Sequence, residues 1–321
     1  MLEIKYWSES NFDFEEIARI QNLVNHDTIE HANDLKQKWE NRDKTVLSEK
    51  YFLCNNIKNV GILHFSQGVQ VNKRNCYFNI YMDPDFQSTS NYKILYDQLL
   101  KSVAEFDCSR LFPWTFLHSN YSNYITFLNH EGFKIVQKHR EYKLDLKQFK
   151  ISSFEGLLEK LKKEGVQIFE TKNEMQHFPN HYKKLEELIW NYIQDEPIMD
   201  GDSHIRKPYE RWMQKRRVFE DKKYGVELVA VKNDEYVGLT RVIIKYDSDS
   251  KKGYTETTGV LQKYRRQGIA TALKVESIKK LKKKGIKEIR TGNEMKNPMY
   301  KINEKLGFQL MEQSLEFRKD I

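Results

Sequence analysis

The segment GVLQKYRRQGIATALK, residues 259–274, determines how the rest of the chain is interpreted. It lies between a β-rich run, YTETTGV (254–260), and a stretch with apolar residues at helical spacing. Small residues at 268 and 270 leave the backbone uncovered, so N–H groups can point outward at a helix N-terminus, where the helix dipole favours an anion. The segment predicts a diphosphate-binding site, and the alternative is an ordinary strand-to-helix turn.

The C-terminal half alternates strands and helices around this segment. The predicted elements, in chain order, are strands at 226–232, 236–246 and 254–260, a helix from Gly268 to Gly285, a strand at 286–292, a helix with Pro298 in its first turn and a last strand after Gly307-Phe308. The order is β-β-β-α-β-α-β. The first three strands are predicted to be adjacent and antiparallel.

The N-terminal half repeats the same order more weakly. Gly132-Phe133 falls where Gly307-Phe308 falls in the second half, and each half begins with a strand and a helix. Recurrence of the whole order predicts a duplicated domain of mixed α/β class. We expect domains at 1–150 and 151–321, joined near 147–164 by a helix that contains FEGLLEKLKKEG.

The net charge of +8 is carried by one half of the chain. Residues 1–150 hold 19 Lys and Arg against 19 Asp and Glu, and residues 151–321 hold the remaining 35 against 27. An anionic partner is therefore expected for the second half, and charge alone leaves nucleic acid, a membrane surface and a polyphosphate cofactor open.

The cysteines and the N-terminal sequence indicate in which cellular compartment the protein is expected. Cys54, Cys76 and Cys108 form no C-x-x-C pair, which argues against a zinc ribbon or a disulfide framework. The N-terminal residues MLEIKYWSESNFDFEE lack the basic and apolar regions of a signal peptide, and no stretch approaches the ~20 apolar residues of a membrane span. We expect a cytoplasmic protein with no metal and no membrane partner.

The motifs of the second half resemble those of a known family. The pattern TTGV-x4-R-x-x-G-I-A, followed by TGNEMKN (291–297) and Y-x-I-N-E-K-L-G-F (300–308), resembles the GNAT family of acyl-CoA-dependent N-acyltransferases. It is most similar to the C-terminal half of bacterial tandem GNAT proteins, a group that includes relatives of mycothiol synthase. The resemblance covers 226–310 closely, 151–225 loosely and 1–150 in element order only. It implies two tandem GNAT folds, α/β with a mixed sheet, and acetyl-CoA as cosubstrate.

The resemblance also implies which residues bind the cofactor. In the family, the strand matching 256–260 splays from its neighbour at a bulge and pairs with the pantetheine arm, and the following segment binds the pyrophosphate through backbone N–H groups. Asn297 matches the position that helps to hold the arm, and Asn293 belongs to the same set. The implied residues are Thr258, Gly259, Val260, Leu261, Arg265, Arg266, Gln267, Gly268, Ile269, Ala270, Thr271, Asn293 and Asn297.

The N-terminal copy departs from this pattern. Aligning Met82 with Val260 places Gln87, Ser90 and Tyr92 opposite Arg265, Gly268 and Ala270. Both small residues are lost, and the side chains at 90 and 92 would crowd a diphosphate that needs close backbone approach. We expect domain 1–150 to be a degenerate, structural or substrate-shaping copy and domain 151–321 to be catalytic.

Candidates for proton transfer come from the strand and the last helix. Strand alternation places Glu256, Thr258 and Val260 on one face, which makes Glu256 a candidate base; the alternative is an exposed strand carboxylate. The family's usual acid, a Tyr four residues before the G-F pair, is replaced by Asn303, which cannot deliver a proton and could at most hydrogen-bond the sulfur. Tyr300, one turn earlier, could substitute, or it is simply a packed helix residue.

Acceptor recognition is expected from the loop at 190–212, whose acidic residues suit a cationic amine. These residues are Asp195, Glu196, Asp200 and Asp202, and each is alternatively a solvated loop residue. Trp190 and Trp212 in the same region are expected to pack. The lysines of 279–284 are expected to be a solvated helix face, because no nucleic-acid motif accompanies them.

The function expected from these features is transfer of an acetyl group from acetyl-CoA to a primary amine, by direct attack in a ternary complex. The acceptor is a small molecule or peptide, and nucleic acid is not expected as a partner. Two alternatives stay open: a tandem GNAT aminoacyl transferase that uses charged tRNA, and a non-catalytic acyl-CoA sensor.

Overall fold

The computed structural model describes residues 2–10, 12–25, 29–42, 44–68, 74–174, 180–198, 204–221, 225–246 and 251–321. The chain forms two compact units. The first contains residues 1–138 and 312–321, and the second contains residues 139–311. Each unit is a mixed α/β structure around its own sheet, as the sequence predicts.

The first unit is built on a sheet with strand order β1-β2-β3-β4-β5-β12. Only the β4–β5 pair is parallel among the registers of this sheet described here. Its elements are β1 (Glu3–Tyr6), α1 (Phe14–Val24), α2 (Ala32–Glu40), β2 (Ser48–Cys54), β3 (Asn59–Gln67), β4 (Asn75–Met82), α3 (Thr89–Ala104), β5 (Arg110–Phe116) and α4 (Ser122–His130), followed by β6 (Lys134–Asp145).

The second unit has the sheet order β6-β11-β10-β9-β8-β7, in which β10 and β11 are parallel. Its elements are α5 (Glu155–Lys163), β7 (Gln167–Glu170), α6 (Thr171–Glu174), α7 (His181–Ile193), α8 (Tyr209–Asp221), β8 (Gly225–Lys232), β9 (Glu235–Tyr246), β10 (Lys251–Val260), α9 (Ile269–Lys283), β11 (Glu288–Glu294) and α10 (Met299–Lys305), followed by β12 (Gln309–Asp320). The predicted order β-β-β-α-β-α-β is present from β8 to β12.

The last strand of each sequence half pairs within the unit that is formed mainly by the other half. Residues 139–145 of β6 pair with β11, and residues 314–320 of β12 pair with β5. The units therefore differ from the expected division at 150/151. Helix α5, expected as a linker, packs in the core of the second unit. Alternation of side chains along a strand predicts the strand itself but carries no information about which sheet supplies its neighbour.

The duplication is visible in two equivalent turns. Gly132 and Gly307 end helices α4 and α10 with φ values of +84° and +83°, a left-handed conformation that favours glycine. The residues that follow them, Phe133 and Phe308, are both buried in the core of a unit. The repeated G-F pair is thus a turn and a core anchor in both halves.

Helices cover both faces of each sheet. In the first unit α3 and α4 cover one face, and α1 with Trp7 and part of α2 covers the other. In the second unit α9 covers one face, and α7 with Trp212 of α8 covers the other. The apolar side chains that face α9 and α7 hold the strands in the register that positions the candidate site.

One lysine of the first unit is buried among aromatic rings. The side chain of Lys50 on β2 is 7% exposed, and its ammonium lies 4.6 Å from the centre of the Trp39 ring. Burial, with a smaller contribution from Arg42, lowers the pKa of Lys50 to about 7. Because burial disfavours the charged form, the fold is destabilised wherever this lysine is protonated.

Replacement of Lys50 by methionine is expected to stabilise the protein at pH 7. Between the folded pKa of about 7 and the unfolded value of about 10.4, the unfolded chain binds more protons, so Lys50 makes stability rise with pH by up to ~1.4 kcal/mol per pH unit. Lys50→Met should remove this rise. Urea unfolding at pH 7 and pH 9 measures it, with Lys36→Met, an exposed lysine of α2, as the control. An unchanged pH slope in Lys50→Met would contradict this account.

Candidate active site

Strands β10 and β11 separate before β10 ends. They pair at only 252–254 with 288–290, after which β10 continues to Val260 beside β9, and β11 continues beside β6. In the described ranges, the side of β10 that faces away from β9 has no strand partner from Thr255 to Val260. Backbone N–H and C=O groups there can pair with an extended ligand, because such groups require hydrogen bonds when water is excluded.

A bulge interrupts β10 at Glu256. Thr255 pairs with Val242 and Thr257 with Arg241, so Glu256 is the extra residue. The predicted common face of Glu256, Thr258 and Val260 is therefore wrong, because a bulge resets the alternation of side chains. Val260 packs in the core with α9, whereas the carboxylate of Glu256 lies against Arg241.

A chain of ion pairs with alternating sign connects Glu256 at the bulge to α8. The Glu256 carboxylate accepts from Nη1 of Arg241 at 3.0 Å, and Arg241 also donates to Glu227. Glu227 accepts from Nη1 of Arg216 at 2.5 Å, and Arg216 donates to Glu220 at 2.7 Å. Although burial alone would raise it, Arg241 and Arg216 hold the pKa of Glu227 below its usual value. The buried Glu227 thus fixes the position of Arg241. Arg241 in turn holds the side chain of Glu256, which is 46% exposed, in place.

Tyr192 of α7 lies on the backbone of β10. Its hydroxyl is 3.0 Å from Oγ1 of Thr257, and a Cβ atom placed on Gly259 would lie 2.2 Å from its ring carbons. Burial raises the pKa of Tyr192 and keeps the hydroxyl protonated at neutral pH. Gly259 is therefore required by ring packing as well as by its expected role beside a ligand. The apolar periodicity of α7 in the sequence does not predict this contact.

The loop from Arg265 to Ala270 presents free backbone donors. Arg266 and Gly268 have φ values of +61° and +92°, and α9 begins directly afterwards at Ile269. No side chain caps this helix, and the N–H groups from Arg266 to Thr271 donate to no group in the described part of the chain. Successive free N–H groups in this conformation, at the start of a helix, form an anion-binding concavity.

The equivalent loop of the first unit has its donors satisfied internally. Ser88 caps α3 by accepting from the N–H of Asn91 at 3.2 Å, and Asp83 accepts from the N–H of Asp85 at 3.2 Å. Tyr92, predicted to crowd the site, is buried against Phe127. Among the described pairs, β3 and β4 keep one register without a bulge. Asp83 is also paired with Lys58 at 2.7 Å. Side chains of this turn therefore accept N–H groups of a kind that the second unit leaves free.

Arg265 contacts the strand and the acidic loop. Its Nε donates to the carbonyl of Val260 at 2.9 Å, and its Nη2 lies 2.5 Å from Oδ2 of Asp195. Asp195, predicted to bind the acceptor, is therefore paired with the arginine of the anion-binding loop. Glu196 is exposed, and its carbonyl lies 3.2 Å from Nε2 of His204. Asp200 and Asp202 lie outside the described residues.

The asparagines of β11 and α10 bond to their own surroundings. Asn303 is fully buried, and its Nδ2 donates to Oδ1 of Asn293 at 2.5 Å. Asn297 caps α10 by accepting from the N–H of Met299 at 3.0 Å. The ring of Tyr300 lies 4.7 Å from the Arg140 guanidinium. Asn303 therefore has no free surface for a sulfur, which argues against its predicted contact.

Across the ranges described above, no group of three or more His, Cys, Asp or Glu side chains is placed to hold a metal ion. None of the helices in the same ranges has the length and apolar character needed to cross a membrane.

Comparison with known proteins agrees with this geometry. Residues 185–308 match the sequence model of the Acetyltransferase (GNAT) family. A search of curated proteins by sequence found no match.

Solved structures share the fold along nearly the whole chain. A tandem GNAT protein from the clavulanic acid biosynthesis pathway is 13% identical, with a TM-score of 0.76 over 100% of this chain and 98% of its own. A GCN5-related N-acetyltransferase from Sphaerobacter thermophilus is 14% identical, with a TM-score of 0.68 and coverage of 99% and 95%. A glucosamine N-acetyltransferase region of a fungal multi-domain β-N-acetylglucosaminidase is 13% identical, with a TM-score of 0.72, covering 99% of this chain and 38% of that one.

The fold and the family match together define a GNAT acetyltransferase domain in the second unit. Residues 185–308 thus match the GNAT family, as the motifs of the second half predict, and the chain as a whole shares the fold of a tandem GNAT protein. The N-terminal half also matches GNAT folds.

Gly268 provides a test of the loop conformation. A Cβ atom at this position would have a positive φ and would lie 2.7 Å from Cδ1 of Leu157 on α5. We expect Gly268→Ala to lower the free energy of unfolding by about 1–2 kcal/mol. Adding Leu157→Ala should relieve the steric part only, which a double-mutant cycle in urea separates.

Gly156 of α5 is the matched control for this substitution. It lies within a helix, and a Cβ atom there would meet nothing within 4 Å. Gly156→Ala should therefore stabilise the protein by up to about 1 kcal/mol through helix propensity. Equal effects of the two substitutions would refute the account of the loop.

Proposed function

We propose that the second unit transfers an acetyl group from acetyl-CoA to a primary amine of a small molecule or peptide, by direct attack in a ternary complex. The observation that carries the proposal is the placement of free N–H groups, from Arg266 to Thr271, beside the unpaired end of β10. The first would hold the pyrophosphate, and the second would pair with the pantetheine arm. Acetyl-CoA supplies the acyl thioester when bound.

Glu256 is proposed as the base. An amine is protonated at neutral pH and must lose a proton before its nitrogen can attack, and an exposed carboxylate at the bulge can take it. Arg241, anchored to the buried Glu227, limits the positions that this carboxylate adopts. Holding the base beside the reactants saves the entropy of orienting it during the reaction.

The leaving thiolate needs a proton donor, and two tyrosines are candidates. Tyr300 is the one suggested by the sequence. Tyr192 is supported by its protonated hydroxyl at Thr257, next to the bulge. Asn303 supplies no proton, because an amide side chain does not act as an acid.

The free thiols support the cytoplasm as the proposed compartment. Cys54, Cys76 and Cys108 are free, and two of them are buried, so a reducing environment such as the cytoplasm fits them. We place the enzyme there.

A non-catalytic acyl-CoA sensor is the second candidate. It is favoured by Asn303, which occupies the position of the family's usual acid and is buried. A sensor binds acetyl-CoA without releasing CoA in the presence of any amine, so assays of binding and turnover on one preparation distinguish the two functions.

Calorimetry with acetyl-CoA tests the anion-binding loop. Gly268→Glu places a side chain and a negative charge among the free N–H groups, and should weaken binding about a hundredfold or more, since an unfavourable charge contact costs several kcal/mol. Ser90→Glu, at the aligned and exposed position of the first unit, is the control and should leave the affinity unchanged. Undiminished binding by Gly268→Glu would exclude the loop as the pyrophosphate site.

Substitution of Glu256 tests the base. Release of CoA thiol against a panel of amines measures turnover, and Glu256→Gln should lower kcat by about 10²–10⁴ while the affinity for acetyl-CoA stays the same. Glu159→Gln, an exposed carboxylate on α5, serves as the control. Full turnover in Glu256→Gln would remove it from this role.

A gel shift with tRNA should be negative, and tight tRNA binding without acetyl-CoA binding would favour the tRNA-dependent alternative.

A further inference from the structure

Two cysteines of the first unit lie side by side where strands β4 and β5 begin. Cys76 is the second residue of β4, and Cys108 comes shortly before β5, with the whole of α3 between them in the chain. Their thiols are hydrogen-bonded to each other. Cys108 also packs against the core cluster that contains Cys76. The fold therefore brings together two thiols that are far apart in the sequence.

The backbone on either side of the cysteines holds this contact. The carbonyl of Arg74 accepts the N–H of Ser109 at 2.8 Å and the N–H of Arg110 at 3.0 Å. Nε of Arg74 lies 3.7 Å from Oδ2 of Asp107. The segment that leads into β5 is thus tied to the segment that leads into β4 by two backbone hydrogen bonds and an ion pair. The two thiols are held in contact without a covalent bond between them.

The two thiols differ in exposure and in acidity. Cys76 is buried, whereas Cys108 is only half-buried and can be reached from solvent. The hydrogen bond from Cys76 lowers the pKa of the Cys108 thiol, although burial and Asp107 oppose this, and the same bond together with burial raises the pKa of Cys76. The thiolate is the form that reacts with oxidants. Cys108 is therefore the thiol that meets an oxidant first, and Cys76 is the thiol placed to react with it afterwards.

We propose that Cys76 and Cys108 form a reversible, redox-sensitive disulfide, with a peroxide as the oxidant. The Cys108 sulfur attacks the O–O bond of the peroxide, which breaks as an S–O bond forms, and water or an alcohol leaves. The Cys76 sulfur then attacks the sulfur of the Cys108 sulfenic acid. The S–S bond forms, the S–O bond breaks, and the hydroxide leaves as water with the proton of Cys76. Two thiols lose two electrons and two protons in total, and the peroxide gains them.

Contact between the thiols makes the second step fast. A sulfenic acid is oxidised further unless a thiol condenses with it, and a thiol already in place competes better than one that diffuses in. Disulfides in a reducing compartment are usually transient and redox-sensing, because thiol–disulfide exchange with small thiols reverses them. The proposed bond joins β4 to the segment before β5 in the first unit, and it does not depend on acyl transfer by the second.

Peptide mapping of the full chain after treatment with hydrogen peroxide tests the proposal. Remaining thiols are alkylated under denaturing conditions, and the protein is digested with trypsin without reduction. Trypsin separates the two cysteines into peptides 75–93 and 102–110. We expect the joined peptide in the wild type, with Cys54 still alkylated, and we expect its loss when dithiothreitol is added before alkylation.

Three variants assign the role of each thiol. Cys108→Ser should lose the joined peptide and leave Cys76 alkylated, whereas Cys54→Ser, the matched control, should form the joined peptide like the wild type. Cys76→Ala keeps an apolar side chain at the buried position and should leave Cys108 as a sulfenic acid that dimedone labels. The wild type should lose this labelling, because Cys76 reacts first.

Three outcomes in the wild type would overturn the proposal. The first is that peroxide yields no joined peptide. The second is that Cys108 is oxidised to the sulfinic or sulfonic acid while Cys76 is still alkylated. The third is that the joined peptide comes only from a covalent dimer, which a non-reducing gel separates from the monomer before digestion.

Discussion

The second unit is organised by the separation of β10 from β11. A strand inside a sheet satisfies its backbone on both sides, and β10 does so only as far as Tyr254. From there one side of the strand is unpaired, the bulge at Glu256 changes the direction of the side chains, and the chain turns through Arg266 and Gly268 into an uncapped helix. The unpaired backbone groups of β10 and the free N–H groups at the start of α9 therefore lie close together in the chain.

The first unit shows what happens when the same capacity is used internally. Its strands β4 and β5 also pair over a short range, from 75–78 to 110–113. There the side chain of Asn79 accepts a hydrogen bond from the N–H of Trp114, and Ser88 caps the helix that follows. The two units share a fold, and they differ in whether the chain's own side chains accept these hydrogen bonds or the N–H groups stay free.

Buried charge is handled in opposite ways in the two units. In the second, Glu227 is held between Arg241 and Arg216, so each buried charge has a partner of opposite sign, and the order of charges ends at Glu256. In the first, Lys50 has aromatic neighbours and no such partner within the described chain. A satisfied network positions a side chain, whereas a buried charge without a partner lowers the stability of the fold.

The sequence by itself determined the order of the elements, the two G-F turns and the loop at 265–270, because these depend on local features: periodicity, glycine at positive φ, and small residues at a helix start. The tertiary structure decided the rest. Which sheet accepts residues 139–145 and 314–320, the bulge at Glu256, and the pairing of Asp195 with Arg265 all depend on residues far apart in the chain. Such contacts are selected by packing and charge across the fold, and no local pattern encodes them.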